Sequence, residues 1–229
     1  MKLNDIEHIY FDLDHTLWDF DRNSALAFEQ MFSKRKISIR IEDFLEVYVP
    51  VNYKYWELYR DNRVSKEDLR IGRLKDSFEL LKMETSDRTI EELSVEYIEF
   101  LPENNHLLDG SVEILNYLKA NYQLHIITNG FEEVQHKKLH NSGISKYFAT
   151  VTTSEEAGVK KPHSLIFETA LNKASALPSK SLMVGDNLIA DIKGAQDFGM
   201  SSIYFDYYRK KEKIDVRQIQ TLNELRDYL

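Results

Sequence analysis

The segment His8-Ile9-Tyr10-Phe11-Asp12-Leu13-Asp14-His15-Thr16 ends an apolar run in two carboxylates two residues apart, followed by a hydroxyl. Side chains of an extended strand alternate between faces, so Asp12 and Asp14 point the same way for as long as the chain stays extended. Two acids so placed repel each other. The pair is tolerated when a cation sits against it or when one member keeps a proton. Those are also the conditions that a carboxylate nucleophile beside a general acid requires. Asp and Thr equally cap strand-to-loop junctions with no chemistry attached, so the meaning of this segment rests on what else the chain supplies.

Three further segments follow the same design. Residues 123–130, Gln-Leu-His-Ile-Ile-Thr-Asn-Gly, close an apolar run with a hydroxyl, an amide and a glycine free to take a tight or left-handed turn. Thr128 and Asn129 stand where a phosphate oxygen can be held by a hydroxyl and by backbone N–H groups; an ordinary Asn-Gly turn is the plain alternative. Gly158-Val159-Lys160-Lys161-Pro162 precedes a helical pattern with Ile166, Phe167 and Ala170 on one face. Pro162 fixes the chain direction there. Lys161 is thereby presented beside a helix start, where an ammonium can neutralise a phosphate and keep nearby carboxylates charged; a solvated lysine pair is the alternative. Ser181-Leu-Met-Val-Gly-Asp-Asn187 again ends a strand-like run in acid, with Asp191 beyond. Gly185 allows close backbone approach to a ligand, and Asp186 at a strand's carboxyl end suits a hard cation. Asp191 is also accounted for by the helix dipole.

The elements that must position these residues are legible as hydrophobic periodicity. Strand-like runs occur at 7–12, 123–128, 148–153, 181–185 and 201–205, with a weaker one at 217–221. Helical patterns alternate with the later ones, which predicts an α/β fold with a parallel sheet wrapped by helices. Residues 20–103 interrupt that alternation with helical patterns only: Ala25, Leu26, Met31 and Phe32; Phe44, Leu45 and Tyr48; Leu69, Leu74, Phe78 and Leu81; Leu93, Tyr97, Ile98 and Leu101. A helix break is expected at Pro50 and a capping box at Ser65–Asp68.

Asp-Leu-Asp-His-Thr, Ile-Thr-Asn-Gly, Lys-Lys-Pro and Gly-Asp-Asn-Leu-Ile-Ala-Asp, in that order over residues 8–191, resemble the four motifs of the haloacid dehalogenase superfamily of phosphatases and phosphotransferases. More narrowly, the Asp-His-Thr-Leu-Trp-Asp-Phe opening and the Ile-Thr-Asn-Gly segment are similar to the nucleotidases of that superfamily that act on pyrimidine nucleoside monophosphates; acylneuraminate phosphatases share some of these features. The resemblance implies a Rossmann-like core from 1–19 and 104–229, and an inserted α-helical cap at 20–103 that closes over the site and selects the leaving group.

It further implies a Mg²⁺-dependent phosphomonoester hydrolase. Asp12 would attack phosphorus to form an aspartyl phosphate, and Asp14 would be the acid and then the base. The metal would be held by Asp12, the Asp14 backbone carbonyl and Asp186, and phosphoryl oxygens by Thr128, Asn129 and Lys161. Asp191 and Thr16 would support these groups from behind. Lys161 rather than Lys160 takes the role because it directly precedes Pro162. His15 stands where many relatives carry another residue, and its imidazole is expected to face solvent or the cap with no catalytic role.

Within the cap, Tyr48, Tyr53, Tyr55, Trp56 and Tyr59 read mostly as core, with one or two available to stack on a base or line a sugar pocket. Arg70 and Arg73 read as solvated helix positions, with contact to a polar leaving group as the alternative. A sugar-phosphate phosphatase and a phosphomutase remain open on the same motifs. His15 in place of the Gly common in mutases counts against the latter, and retention of Asp14 counts against a dehalogenase. A non-catalytic binding protein would be favoured by loss of the nucleophile, the acid or a metal ligand, and none is lost.

Composition is consistent with this reading. The 229 residues carry 38 acidic against 30 basic side chains, a net charge of −8, so no global basic field exists for a nucleic-acid polymer or an anionic membrane. The substrate expected is a small phosphate ester that finds local positive charge. There is no cysteine, which excludes disulfides, thiolate metal sites and a thiol nucleophile. The absence of a signal-like start and of any apolar stretch of spanning length leads to an expectation of a cytoplasmic protein.

Overall fold

The computed structural model describes residues 2–209 and 215–229. Six strands form one parallel sheet: β1 (His8–Phe11), β2 (Gln123–Thr128), β3 (Phe148–Thr153), β4 (Ser181–Gly185), β5 (Ser201–Phe205) and β6 (Gln218–Ile219), in the order β3-β2-β1-β4-β5-β6. The predicted strands occur where the apolar runs lie, with the last one reduced to two residues. Among the described residues, the helices are α1 (Phe20–Arg35), α2 (Ile41–Arg60), α3 (Lys66–Leu80), α4 (Asp87–Phe100), α5 (Ser111–Lys119), α6 (Glu132–Asn141), α7 (Ser154–Ala157), α8 (Ser164–Ala174) and α9 (Gly194–Asp197). The chain divides into two compact units, one running up to Phe20 and resuming at Asn105–Leu229, the other Asp21–Asn104.

In the sheet unit, β1 and β4 are buried along their whole length, as continuous apolar runs covered on both faces must be. Tyr10, Ile127 and Met183 pack against Ile166, Phe167, Ala170 and Leu171 of α8. Phe11 pairs with Ile126 on one side and Val184 on the other, which brings the carboxyl ends of β1, β2 and β4 level. The strand order reverses direction about β1, and at such a switch point the loops diverge to leave a crevice.

In the helical unit, α1 to α4 meet around Phe28, Phe32, Phe44, Tyr48, Phe78 and Tyr97, with Phe28 and Tyr97 stacked at 4.4 Å. The capping box forms: Ser65 accepts from the Asp68 N–H while the Asp68 carboxylate accepts from the Ser65 N–H. Pro50 does not break its helix, contrary to the sequence expectation. α2 runs unbroken from Ile41 to Arg60 with Pro50 on its exposed face, where the Glu46 carbonyl that loses its N–H partner can be hydrated, while Phe44, Tyr48, Val51 and Asn52 anchor the opposite face.

Two more expectations need correcting here. Of the five rings near Pro50, Tyr48 and Tyr59 are buried but Tyr53 is 42% exposed, and Tyr55 and Trp56 are half-buried, because the helical stripe that reaches the core admits only part of an all-aromatic run. Arg73 is not solvated at all; it lies on the buried stripe of α3 with Leu69, Leu74, Ser77 and Phe78. No helix among the described residues is long and apolar enough to cross a membrane.

Candidate active site

The carboxyl edge of the sheet gathers the polar ends of its strands. Asp12 directly follows β1, and its N–H still bonds the Val184 carbonyl at 2.9 Å, so its position is set by sheet pairing. The chain then turns sharply: the N–H groups of Thr16, Leu17 and Trp18 all reach the Leu13 carbonyl. Trp18 bridges to Leu107, and the Leu108 N–H bonds the Leu17 carbonyl, which ties the turn to the segment before α5. Asp14 is held on this turn rather than on a continuing strand.

Each of the two leading carboxylates has its own lysine. Lys161 Nζ lies 2.7 Å from Asp12 Oδ1, 2.7 Å from Asp191 Oδ1 and 2.7 Å from the Ile127 carbonyl, and the side chain is only 2% exposed. Lys138 Nζ lies 2.6 Å from Asp14 Oδ1, while Gln135 donates to Asp14 Oδ2 at 3.1 Å and to Thr128 Oγ1 at 2.8 Å. The repulsion read from the DxD spacing is therefore answered by two cations from different segments. Neither Lys138 nor Gln135 was singled out from sequence. Their only local signal is two polar residues at i, i+3 on the buried side of α6, beside Val134 and Leu139.

Thr128, at the end of β2, is buried and accepts from both Gly130 N–H and Gln135, which leaves its own O–H to donate. Asn129 braces the chain, accepting from Lys161 N–H at 2.8 Å and donating to the Lys161 carbonyl at 3.0 Å. Asp186 follows β4 and receives the buried Thr16 hydroxyl at 3.4 Å. Asp191, 1% exposed, accepts from Asn187 N–H in addition to meeting Lys161.

Two glycines leave space that side chains of the protein itself claim. A Cβ at Gly185 would collide with the Asp191 carboxylate, so the close approach there is made by a side chain of the protein itself. Gly130 has no left-handed backbone; its missing Cβ makes room for the Gln135 amide. His15 is partly exposed. It has φ 59°, a left-handed conformation costly for a residue with a Cβ, and its ring packs with Phe20, Tyr207 and Tyr208, whose hydroxyl lies 3.3 Å from Nδ1.

With every carboxylate ionised, the site carries an excess of two negative charges, four carboxylates (Asp12, Asp14, Asp186, Asp191) against two ammonium groups. Burial pushes the Asp12 carboxyl up to about 7; Lys161 opposes the shift, and Asp191 and Asp14 add to it. Asp186 is raised well above the usual carboxylate range by burial and then by Asp12 and Asp191. Burial disfavours the Lys161 charge, yet Asp12 and Asp191 hold that ammonium above its ordinary range. One carboxylate oxygen from each of Asp12, Asp186 and Asp191 lies within 4.8 Å of the others. A compact all-oxygen donor set with an excess of two negative charges fits a hard divalent cation.

Comparison with known proteins agrees with this geometry. Residues 6–199 match the family model of haloacid dehalogenase-like hydrolases. The chain is 32% identical over 221 residues to pyrimidine 5′-nucleotidase YjjG of Escherichia coli K12, covering 96% of this chain and 94% of that one. It is 30% identical over 200 residues to pyrimidine 5′-nucleotidase PynA of Streptococcus pneumoniae, covering 86% and 83%. Among solved structures, the HAD-hydrolase YfnB of Bacillus subtilis, determined bound to magnesium, superposes with a TM-score of 0.87 at 27% identity over 97% of both chains.

Proposed function

The chain belongs to the haloacid dehalogenase-like hydrolases, and within that family we propose that it is a Mg²⁺-dependent phosphatase of pyrimidine nucleoside 5′-monophosphates, working through Asp12 as nucleophile. The observation that carries this reading is the convergence of Asp12, Asp14, Thr128, Lys161 and Asp186 at one sheet edge, brought together from four separate segments of the chain. The two nucleotidases among its relatives support the substrate class.

Asp12 attacks phosphorus in line. The P–O bond to the nucleoside breaks as the Asp12–P bond forms, and the two-step route replaces one difficult displacement by two easier ones. Asp14 in its acid form gives its proton to the departing oxygen and, as carboxylate, takes one from the water that then cleaves the aspartyl phosphate. Gln135 and Lys138 aim Asp14. The Thr128 O–H donates to a phosphoryl oxygen, where a fixed donor helps most as charge builds in the transition state. Lys161, already surrounded by three oxygens, chiefly keeps the nucleophile charged and aimed. Asp12, Asp186 and the Asp14 carbonyl would hold Mg²⁺, with Asp191 close by. When bound, the ion offsets the excess negative charge and polarises the phosphoryl group.

The test is phosphate release from UMP and dTMP against sugar phosphates, with Mg²⁺ or a chelator, in the native chain and in Asp12→Asn. Turnover confined to native protein with Mg²⁺, together with preference for the nucleotides, is expected. Substantial turnover by Asp12→Asn sinks the nucleophile, and preference for a sugar phosphate sinks the substrate class alone.

A further inference from the structure

The buried side of α6 carries an amide that touches both the acid and the phosphate anchor of the sheet unit. Gln135 is fully buried, and its Nε2 donates to Asp14 Oδ2 at 3.1 Å and to Thr128 Oγ1 at 2.8 Å. The two acceptors come from different strand ends, Asp14 from the turn after β1 and Thr128 from the end of β2, and all three residues lie in the same compact unit. A side-chain amide nitrogen has two N–H groups, so this contact uses both.

The surroundings are arranged for that amide. A Cβ on Gly130 would stand 2.5 Å from Gln135 Cδ and Nε2, so the glycine supplies the space that the amide fills. Among the described residues, Gln135 Oε1 is buried and has no hydrogen-bond partner, a condition that native proteins seldom carry without a reason. Turning the amide over would let Oε1 accept the Thr128 hydroxyl, but it would also set an oxygen against the Asp14 carboxylate. The charge on Asp14, held by Lys138 on its other oxygen, therefore decides which way the amide faces. The consequence falls on Thr128. Its oxygen has two lone pairs, one taken by Gly130 N–H and the other by Gln135, so the hydroxyl proton must point away from both. Without the amide that proton is free to turn toward α6.

We propose that Gln135 is a positioning residue that couples proton transfer to phosphate binding: one amide, admitted by Gly130, both aims the Asp14 carboxyl and directs the Thr128 hydroxyl proton toward a phosphoryl oxygen. The proposal rests on the phosphatase reading above and makes the acid and the phosphate anchor one unit, so that disturbing either end of the amide disturbs both functions. Gln135 touches no reacting atom and acts only through its two partners. A residue that merely filled space on α6 would have no reason to give up its own oxygen.

Gln135→Met keeps the length and loses both donors, while Gly130→Ala keeps the glutamine and displaces it, so the second still reports if the first does not fold. Each full-length variant is compared with the native chain, in Mg²⁺, on UMP and glycerol 2-phosphate, whose alkoxides need the Asp14 proton to leave, and on p-nitrophenyl phosphate, whose phenolate leaves without one. The ratio of kcat/KM for the alkyl esters to that for p-nitrophenyl phosphate is expected to fall about tenfold to a hundredfold, as when a general acid loses its aim. The inhibition constant of inorganic phosphate is expected to rise about threefold to tenfold, the size of one lost hydrogen bond. In Gln135→Ala, where no amide remains to be displaced, adding Gly130→Ala is expected to change neither quantity further. An unaltered ester ratio overturns the proposal, and so does an unaltered inhibition constant, because either leaves the amide with one function. A loss of all three activities in step with the melting temperature also overturns it and makes Gln135 a packing residue. If the native chain cleaves glycerol 2-phosphate and not UMP, the nucleotide reading alone fails and the alkyl-to-aryl ratio still judges Gln135; if it cleaves none of the three, the phosphatase reading falls and the proposal with it.

Discussion

Lys138 Nζ sits 2.6 Å from Asp14 Oδ1 and 4.2 Å from the centroid of the Trp18 ring, so one buried ammonium pins the carboxylate and rests on the turn that carries it. This contact joins residues 124 positions apart. Replacing the lysine by methionine keeps most of the buried stem and leaves Asp14 aimed by Gln135 alone. For Lys138→Met, kcat is expected to fall on the order of tenfold to a hundredfold with little change in KM, as expected when a proton donor loses its orientation. Steady-state kinetics check this, and an unaltered kcat would remove Lys138 from the positioning of Asp14.

Asp12 and Asp186 give the metal-free protein a definite pH response. Both carboxyls titrate higher in the folded chain than unfolded, so the folded state binds more protons than the unfolded one above the ordinary carboxylate range, in the case of Asp12 up to about 7. Their contribution to stability is therefore present at low pH and is lost as pH rises through that window. Mg²⁺ requires the ionised forms, so the gain in melting temperature on adding Mg²⁺ is expected to grow as pH rises through the window in which these carboxyls ionise. Melting curves with Mg²⁺ or a chelator from pH 5 to 8.5 test this; a gain independent of pH contradicts it.

Gly185 is expected to tolerate no side chain. Even the methyl of Gly185→Ala meets the Asp191 carboxylate, which is held on both sides by Lys161 and the Asn187 N–H. Displacing Asp191 disturbs Lys161 and through it Asp12. The expected loss in kcat/KM is on the order of a hundredfold, the usual cost of a shift of about 1 Å in a catalytic group, and it should exceed the loss in melting temperature caused by a typical core substitution. Near-native turnover would show that Asp191 can move without consequence.

Pro50 offers a test of the helical unit by gain rather than loss. It occupies an exposed position inside a continuous helix, where it withholds one backbone hydrogen bond. Pro50→Ala restores that donor and is expected to stabilise the chain by about 1–3 kcal/mol. A rise in melting temperature checks it; a fall would mean that the proline ring packs or that the helix bends there for a reason of its own.

The strand ends were legible in the amino-acid sequence because both the apolar run and the polar residue closing it are local. Residues 7–12, 123–128 and 181–185 each read as a buried strand that stops at Asp12, at Thr128 or just before Asp186, and parallel pairing then brings such ends together at one edge. The helical character of residues 20–103 was legible for the same reason, through a period that needs no partner. Tertiary structure alone decided which groups answer one another. Periodicity tells which face of a helix is buried but not what lies opposite, so Lys138 and Gln135 could not be assigned to Asp14, nor Arg73 to Asn52 and Tyr97. What the two glycines make room for was hidden on the same ground: the space that each leaves is claimed by a side chain five or six residues onward, Gln135 for Gly130 and Asp191 for Gly185. Pro50 was misread because helix propensity is a local cost of a few kcal/mol, whereas the burial of Phe44, Tyr48 and Val51 along the opposite face is a tertiary gain that outweighs it.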